Sequence, residues 1–287
     1  MPELPEIEIV KRSLFRMINK AKIINIKINN PNLRYKLQTK FSNELVGEKI
    51  LKITRRSKYI LIFFSKKILL IHLGMSGKLF ILREKDKLLF KTSFYYNLNI
   101  IPKHNHIYFF LSNGTILIYN DVRRFGFFKV FKNQNLQDIP FIRKLGVEPL
   151  NSKFNIKYFC NYIKNKNKNI KNLLMDQNFI SGLGNIYSNE ALFMSKIHPL
   201  KNVNKLKKNQ IRPLILNIKK ILKNSISKGG SSIKDFIDSE GKSGTFQQFF
   251  RVYGRENEYC SRNSCKGKIK KIYVSKRSTY YCNRCQS

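Results

Sequence analysis

The sequence predicts an α+β protein that begins with a β-sandwich domain carrying a leading helix and continues into a helical domain. Short apolar or alternating runs recur as far as residue 131, at the spacing of sandwich strands. From about Phe154 the apolar period becomes helical. Four of the five cysteines then crowd the C-terminus, where they predict a small ribbon. A length of 287 residues favours two domains, with a sizeable core in at least one of them.

The first helix is expected directly after Pro2. Apolar side chains recur there at helical spacing, at Ile7, Val10, Leu14 and Met17. Proline suits a first helical turn, because the N–H group that it lacks would have no partner inside the helix. The residue at position 2 is therefore expected at the start of a helix.

The opening letters, MPELPE, also carry possible chemistry. Removal of Met1 would leave the secondary amine of Pro2 as a free nucleophile beside the carboxyl group of Glu3. Such an amine condenses with a sugar aldehyde carbon to give an imine, which is a cation when the amine is secondary. The ordinary alternative is that Pro and Glu are there only because both suit a first helical turn.

The remaining elements follow in order along the chain. Runs bounded by Gly, Asn and Lys predict strands at residues 23–28, 59–64, 68–73, 79–82, 107–111, 115–119 and 127–131. Helical spacing predicts helices at residues 154–163, 185–194 and 206–226. The polar run 165–169 is expected to form a loop or a helix end near a domain junction.

The C-terminal cysteines form two pairs, the first spaced C-x4-C and the second C-x2-C. In a reducing compartment this spacing predicts one tetrahedral Zn²⁺ site that closes a ribbon of strands. The zinc is expected to be structural, because four thiolates leave no open position for a substrate. Two disulfides are the alternative, which would require export from the cell. The expected ligands are Cys260, Cys265, Cys282 and Cys285.

The formal net charge of +39 points to a polyanionic partner, and nucleic acid is the obvious candidate. Part of this excess is compositional, since Lys, Asn and Ile are abundant throughout the chain. No run is long and apolar enough to span a bilayer, and the N-terminus lacks the hydrophobic region of a secretory signal. We therefore expect a cytoplasmic, nucleoid-associated protein with no membrane partner.

Four further segments combine residues that suit chemistry or DNA contact, although each has an ordinary alternative. The cations of RRSKY (55–59) could contact phosphate, or they could simply be the charged residues that are common on a strand edge. HLGMSG (72–77) places a Met on a turn, where a buried Met is the usual expectation. NDVRRFG (120–126) suits insertion into a base stack but also suits a surface turn. ISGLGNIY (180–187) runs from a Gly-rich loop into a helix, whose free N–H groups favour an anion.

Taken in order, these segments resemble those of the bacterial formamidopyrimidine-DNA glycosylases, which are bifunctional repair enzymes for oxidised purines. The resemblance extends from Pro2 to the last cysteine and also rests on PELPEIE, ISGLGNIYSNEALF, GGSSIKDF, FRVYGR and KRSTYYCNRCQ. It implies an N-terminal β-sandwich with a packed leading helix, a helical domain with a helix–two-turn–helix motif, and a zinc finger. The domains would then be residues 2–133, a linker 134–153, 154–240 and 251–287.

The resemblance also implies catalytic residues. The amine of Pro2 would attack C1′ of the damaged nucleotide, and Glu3 would transfer protons. Glu6 is a second carboxylate of the family pattern, without a defined role. Lys58 and Arg277 match residues that act in strand cleavage after the base has left. We expect both to act mainly as phosphate contacts, because arginine essentially never deprotonates in proteins.

Further residues match DNA contacts of the family. Met75, Arg123 and Phe125 would fill the gap left by a flipped nucleotide. Both Met75 and Phe125 are therefore expected to be exposed when DNA is absent, although they would otherwise be assigned to the core. The other expected contacts are His72, His104, Lys168, Lys171, Asn185 and Lys234. A metal site at His104 and His106 is an unfavoured alternative, because no matching cluster of ligands stands nearby.

Two departures from the family pattern were found. The first cysteine pair is separated by four residues where two are usual, so the knuckle from Cys260 to Cys265 should be wider. Val122 stands where proline is usual before the paired arginines, which leaves that loop less rigid. Neither change removes a chemical group.

The expected partner is double-stranded DNA that contains an oxidised purine or an abasic site, bound by a monomer. One alternative is the related endonuclease VIII type of glycosylase, which prefers oxidised pyrimidines. Leu4 and the GGSSIKDF loop argue against that type. The other alternative is a non-catalytic zinc-ribbon protein that coats nucleic acid through its charge. It leaves the PELPE terminus unexplained.

Overall fold

The computed structural model describes residues 2–83, 88–91, 101–132, 135–230 and 246–287. The chain forms two compact units. The first is built mainly from residues up to Arg143, and the second from Lys144–Ser227 and Gln248–Ser287. No helix in the described ranges is both long and apolar enough to cross a bilayer.

The first unit is a leading helix on two antiparallel sheets. Its helices are α1 (Leu4–Ile18), α2 (Phe41–Leu45) and α3 (Pro140–Arg143). Its strands are β1 (Ile23–Ile28), β2 (Lys52–Arg56), β3 (Tyr59–Phe63), β4 (Lys67–His72), β5 (Lys78–Arg83), β6 (Leu88–Lys91), β7 (Asn105–Leu111), β8 (Thr115–Asn120) and β9 (Phe127–Lys132). One sheet has the order β1-β7-β8-β5-β6 and the other β2-β3-β4-β9.

The core of this unit lies between the two sheets and under α1. Ile7, Val10 and Leu14, which recur at helical spacing, are buried in one cluster with inward residues of both sheets such as Ile71 and Leu117. The free energy of this burial, about 25 cal/mol for each Å² of apolar surface removed from water, fixes the helix on the sandwich. The expected amphipathic helix after Pro2 is thereby confirmed.

The strand register brings distant segments of the chain to one end of the sandwich. Tyr59 at the start of β3 pairs with His72 at the end of β4, which in turn pairs with Phe127 at the start of β9. In the other sheet Asn120, the last residue of β8, pairs with Lys78 and Asn105, which begin β5 and β7. The loops 73–77 and 121–126 each cross from one sheet to the other at this end, so the HLGMSG and NDVRRFG segments meet.

The second unit combines helices with a C-terminal hairpin. Its helices are α4 (Ile156–Ile163), α5 (Ile170–Met175), α6 (Asn185–Met194) and α7 (Lys208–Ser227), and its hairpin strands are β10 (Ile269–Val274) and β11 (Arg277–Cys282). Helix α6 is buried along almost its whole length and packs against α5, α7 and β11. It is therefore the central element of this unit.

The fold class expected from the sequence is confirmed. One strand was missing from the expected set, since residues 55 and 56 end β2, which precedes the expected strand at residues 59–64. The reversal occurs at Ser57, whose φ of 55° is uncommon for a residue with a side chain. The RRSKY segment is thus a hairpin turn that presents Lys58, and the strand before it was not expected.

Candidate functional site

The N-terminal segment is held at the head of α1 by two carboxyl residues. Pro2 is buried, and Glu3 and Glu6 are 3% and 1% exposed. The Glu6 carboxylate accepts the backbone N–H of Glu3 at 2.8 Å, as part of a capping box between these two residues. Glu6, for which the sequence suggested no defined role, therefore fixes the backbone beside Pro2.

The turn that carries Lys58 is tied to the same helix. The Arg55 guanidinium donates from Nε to the Glu8 carboxylate of α1 at 3.1 Å and from Nη1 to the Ser57 carbonyl oxygen at 2.8 Å. Lys58 itself is only 7% exposed. An ammonium group held in a protein interior interacts strongly with an approaching anion, because solvent screening is weak there.

His72 is fixed as a neutral hydrogen-bond donor. Its Nδ1 accepts the backbone N–H of Gly74 at 3.1 Å, which leaves Nε2 to carry the proton. The ring stacks on Phe127, with centroids 5.3 Å apart, and lies 5.2 Å from the Tyr59 ring. Burial and the nearby charge of Lys58 lower the pKa of His72 from 6.5 to about 4. A phosphate oxygen would therefore meet an N–H group rather than an imidazolium cation.

Met75 and Phe125 are both exposed, as the resemblance led us to expect. Their exposed fractions are 43% and 42%, although each is a large apolar side chain in a short loop. The Arg123 guanidinium lies over the Phe125 ring, with Cζ 4.5 Å from its centroid. These side chains form a partly apolar, partly cationic tip at the end of the sandwich.

A cavity of about 670 Å³ lies beside this tip. Its lining is Asn32, Leu33, Arg34, Arg123, Arg124 and Phe125. A lining that includes three arginines and an aromatic side chain suits an anion or a flat, polar ring such as a nucleobase. The cavity is therefore a natural place for part of a nucleic acid.

His104 and His106 have different surroundings, although they are close in sequence. His106 is 2% exposed, and its Nε2 lies 2.7 Å from the carbonyl oxygen of Asp121. His104 is half-buried at the end of a short 3-10 turn, directly before β7. Within the described residues the cluster of His, Cys, Asp and Glu that could share a metal ion contains neither histidine.

In the second unit, the start of α6 contacts the hairpin that carries Arg277. The Asn185 side chain donates to the Ser278 carbonyl oxygen at 2.9 Å. Lys171 is 1% exposed and donates from Nζ to the Asn185 carbonyl oxygen at 3.2 Å. Arg277 is exposed on the hairpin, directly after a turn in which Ser275 and Lys276 both have positive φ. The turn is therefore of the tight type that matches strand twist.

Two other sequence-predicted residues are less informative. Lys168 is half-buried and forms an ion pair with Asp176 at 3.0 Å, so a DNA contact there would compete with this pair. Lys234 lies outside the described residues. Neither residue changes the arrangement of the groups above.

Two buried polar residues of α6 were missed by the sequence analysis. Asn189 accepts the backbone N–H of Tyr280 at 3.0 Å and donates to the Asn185 carbonyl oxygen at 2.7 Å. Glu190 accepts the backbone N–H groups of residues 251, 252 and 253 at 3.0, 3.0 and 2.8 Å. Burial raises the pKa of Glu190, while these N–H groups act in the opposite direction. The available signal was the occurrence of Asn and Glu in a helix whose other residues are mostly apolar.

The four C-terminal cysteines come together despite the wide first knuckle. All their sulfur atoms lie within 4.8 Å of one another, with Cys260–Cys285 and Cys265–Cys282 separations of 3.9 and 3.7 Å. Zinc–sulfur bonds of about 2.3 Å place tetrahedral sulfur atoms about 3.8 Å apart. The donor set and its spacing therefore fit Zn²⁺, and the separation of four residues within the first pair is compatible with it.

Comparison with known proteins agrees with this geometry. Residues 1–128 match the formamidopyrimidine-DNA glycosylase N-terminal domain, and residues 145–237 match the H2TH (helix–two-turn–helix) domain of the same family. A formamidopyrimidine-DNA glycosylase of Rickettsia africae is 41% identical over all of this chain and 99% of its own length. That of Roseobacter denitrificans is 38% identical, with full coverage of both chains.

Solved structures show the same similarity. A Lactococcus lactis mutant of such an enzyme, in complex with DNA containing Fapy-dG, superposes with a TM-score of 0.86 at 35% identity and covers both chains fully. The enzyme from the same organism bound to DNA with an abasic site has a TM-score of 0.83 at 35% identity, over 99% of each chain. The similarity therefore covers both units and the cysteine ribbon.

Proposed function

Because this chain belongs to the formamidopyrimidine-DNA glycosylase family, and is thus a base-excision-repair glycosylase acting on damaged DNA, we propose that it removes oxidised purines through a covalent bond to Pro2. The substrates would be 8-oxoguanine and formamidopyrimidines in double-stranded DNA. The observation that carries this proposal is the buried head of α1, where Glu3 and Glu6 flank the N-terminal proline. The similar Lactococcus lactis enzyme was solved with Fapy-dG and with abasic DNA, which supports these substrates.

The reaction begins with flipping of the damaged nucleotide, since its sugar cannot be reached inside a duplex. Met75, Arg123 and Phe125, called the gap-filling trio below, then occupy the space left in the stack. Their exposure and the stacking of Arg123 on Phe125 support this role. Apolar wedges of this kind offset the loss of base stacking, which costs a few kcal/mol for each step.

The neutral amine of Pro2 then attacks C1′ of the flipped nucleotide. A C–N bond forms, the bond from C1′ to the base breaks, and the base leaves as a neutral molecule after gaining a proton. The sugar ring opens and leaves an iminium ion that joins Pro2 to C1′. Glu3 supplies a proton to the opening ring oxygen and later accepts one as a carboxylate. Only the neutral form of the amine can attack, because the protonated form has no free electron pair.

The same iminium makes the enzyme an AP lyase. It acidifies C2′, whose proton is lost as the 3′ phosphate departs, and a second elimination releases the 5′ phosphate. Lys58 and Arg277 stabilise the charge of the departing phosphates. Six further residues would contribute contacts to the DNA, namely His72, His104, Lys168, Lys171, Asn185 and Lys234. Lys171 would act through the Asn185 backbone. Hydrolysis of the iminium then frees Pro2.

The cysteine cluster would hold one structural Zn²⁺. Its four thiolates complete the tetrahedron, so the metal would stabilise the ribbon that carries Arg277 and take no part in the reaction.

One active centre for each flipped nucleotide also suits a monomer. As its substrate is chromosomal DNA, we place the protein at the nucleoid. We retain the domain limits 2–133, 154–240 and 251–287, with a linker at 134–153, as part of the proposal.

Borohydride trapping tests the proposal directly. The protein with Met1 removed is incubated with a duplex containing 8-oxoguanine opposite cytosine, reduced, digested and mapped by mass spectrometry. We expect an adduct on the peptide that begins with Pro2. An adduct on a lysine, or no adduct, would contradict the proposal. Stronger trapping on duplexes with oxidised pyrimidines would favour the endonuclease VIII type instead.

Two variants serve as controls in this assay. Protein that retains Met1 should bind the lesion duplex with similar affinity yet form no adduct, because its Pro2 nitrogen is an amide. The Glu3→Gln variant should also bind and fail to excise. Brisk excision by Glu3→Gln would assign the proton transfers to another group.

A further inference from the structure

Asp121 lies where the two loops that carry the gap-filling trio meet. Its side chain is fully buried, at 0% exposure. Its Oδ1 accepts the Ser76 hydroxyl at 2.5 Å and the backbone N–H of Arg123 at 3.2 Å. Its Oδ2 accepts the Tyr119 hydroxyl at 2.8 Å and the backbone N–H of Gly126 at 2.9 Å. One carboxylate therefore joins the HLGMSG and NDVRRFG segments.

Each member of the trio is at, or next to, one of these donors. Ser76 directly follows Met75, Arg123 donates through its own backbone, and Gly126 directly follows Phe125. The N–H of Arg123 is also 3.1 Å from the Ser76 hydroxyl oxygen, which closes a small ring of hydrogen bonds. Movement of one loop would therefore break contacts that hold the other.

The backbones of the two loops also touch directly. Gly74 has a φ of 66°, and a Cβ atom built on it would lie 2.4 Å from the carbonyl carbon of Phe125. A Cβ on Gly126 would lie 1.9 Å from the Tyr119 hydroxyl oxygen. The loops therefore have no room to slide past each other while these contacts persist.

We propose that Asp121 is the positioning residue of the gap-filling trio, an inference that rests on the proposed function. It touches no part of the DNA itself. It holds Met75, Arg123 and Phe125 in one mutual arrangement before DNA arrives, so that little ordering is needed when they enter the stack. Pre-organisation of this kind lowers the cost of binding without adding a contact. It also compensates for Val122, which leaves the loop without the rigidity of a proline.

Ser76→Ala is the sharpest test, since it removes the hydroxyl link between the loops and leaves the trio intact. The measured quantity is the ratio between excision of 8-oxoguanine from a duplex and cleavage at an abasic site in single-stranded DNA, where no stack has to be filled. We expect Ser76→Ala and Asp121→Asn to lower this ratio about tenfold. Ser112→Ala removes a similar hydroxyl link, to the N–H of Lys22. It should leave the ratio unchanged.

A double-mutant cycle separates positioning from general damage to the fold. If Ser76 acts by placing Met75, then Ser76→Ala should change the ratio less than about twofold in a Met75→Ala background. A tenfold loss in both backgrounds would overturn the inference, because the two residues would then act independently. An unchanged ratio in Ser76→Ala would overturn it as well.

A second measurement does not depend on activity. In protein labelled with carbon-13 at the methionine methyl groups, the Met75 signal should shift and sharpen in Ser76→Ala and in Asp121→Asn but not in Ser112→Ala. An unchanged Met75 signal would overturn the inference even if the enzyme is active. If the wild-type protein excises no lesion while the two variants still show these shifts, the proposed function is refuted and the positioning role stands.

Discussion

The guanidinium of Arg262 packs on the ring of Phe193, with Cζ 4.6 Å from the ring centroid. Its Nη2 donates to the carbonyl oxygens of Phe193 and Met194, the latter at 3.2 Å. These carbonyl groups end α6, where the helix dipole is negative and carbonyl groups lack partners within the helix. The Phe193 oxygen also accepts the backbone N–H of Lys196 at 3.0 Å. Arg262 lies between Cys260 and Cys265, so the wide first knuckle attaches the ribbon to α6.

Arg262→Ala should therefore loosen the ribbon. We expect the free energy of unfolding of the second unit to fall by about 1–3 kcal/mol, from lost charge-assisted hydrogen bonds and ring contact. The free energy of unfolding of Arg262→Lys should lie between those of the wild type and Arg262→Ala, because lysine keeps the charge but lacks the planar guanidinium group. Thermal unfolding and the rate of zinc release to a chelator measure the effect.

Arg284→Ala is the matched control, since Arg284 is an exposed arginine beside the second cysteine pair. It should change neither the melting temperature nor the rate of zinc release. If both alanine variants have the same melting temperature and the same rate of zinc release, the contact between Arg262 and α6 contributes nothing to the stability of the ribbon.

Met75 and Phe125 should be important for excision but not for stability. Both are exposed, so replacing either by alanine should change the free energy of unfolding by no more than about 0.5 kcal/mol. Excision of 8-oxoguanine from a duplex should fall at least about tenfold, because the gap in the stack is then filled poorly. Phe128→Ala is the control for stability. The Phe128 ring is fully buried, so its loss should lower the free energy of unfolding by about 3–5 kcal/mol. A large loss of stability in Phe125→Ala would assign that ring to the core.

Glu190→Gln should free the segment that leads into the ribbon. The carboxylate accepts three backbone N–H groups, and an amide would turn a donor towards at least one of them. A buried donor left without an acceptor costs about 1–3 kcal/mol. Hydrogen exchange at residues 251–253 should accelerate accordingly.

The control for this variant is Glu258→Gln, which alters an exposed ion pair with Arg255. Surface pairs contribute about 0–1 kcal/mol, so exchange at residues 251–253 should stay as in the wild type. Slow exchange in Glu190→Gln would mean that other contacts hold this segment.

Much of the fold follows from local pattern. The predicted strands form because apolar runs of four to seven residues supply the inward-facing side chains of both sheets, which pack together in the sandwich core. The turn at Ser57 was missed because charged residues at 55 and 56 look like a strand edge. They are accommodated in β2 by a partner from α1, since Arg55 pairs with Glu8. Such a contact depends on how the helix packs and is not visible in the strand itself.

The candidate site was less accessible to local reasoning. That Tyr59, His72 and Phe127 become register neighbours depends on pairing among β3, β4 and β9. The partners of Glu190 lie about sixty residues further along the chain. Only the resemblance to a family indicated that Met75 and Phe125 would be exposed, because large apolar side chains are by default assigned to a core.

His72 offers a test of the electrostatics of the site. Burial and the charge of Lys58 lower its pKa to about 4, and protonation of Nδ1 would also lose the hydrogen bond from Gly74. In protein labelled with nitrogen-15 in its histidines, we expect the Nε2–H tautomer and no protonation above about pH 5. A midpoint near 6.5 would mean that the ring is solvated and free of the Gly74 contact.

The same shift predicts how stability depends on pH. Between pH 6.5 and about 4 the unfolded chain binds a proton at His72 and the folded chain does not. Stability of the first unit should therefore fall as pH decreases through this window, by at most about 1.4 kcal/mol for each pH unit from this group. His72→Gln removes the titration, so urea unfolding of this variant should show a shallower pH dependence. Because all other titrating groups are shared, parallel curves for the two proteins would mean that His72 has the same pKa folded and unfolded.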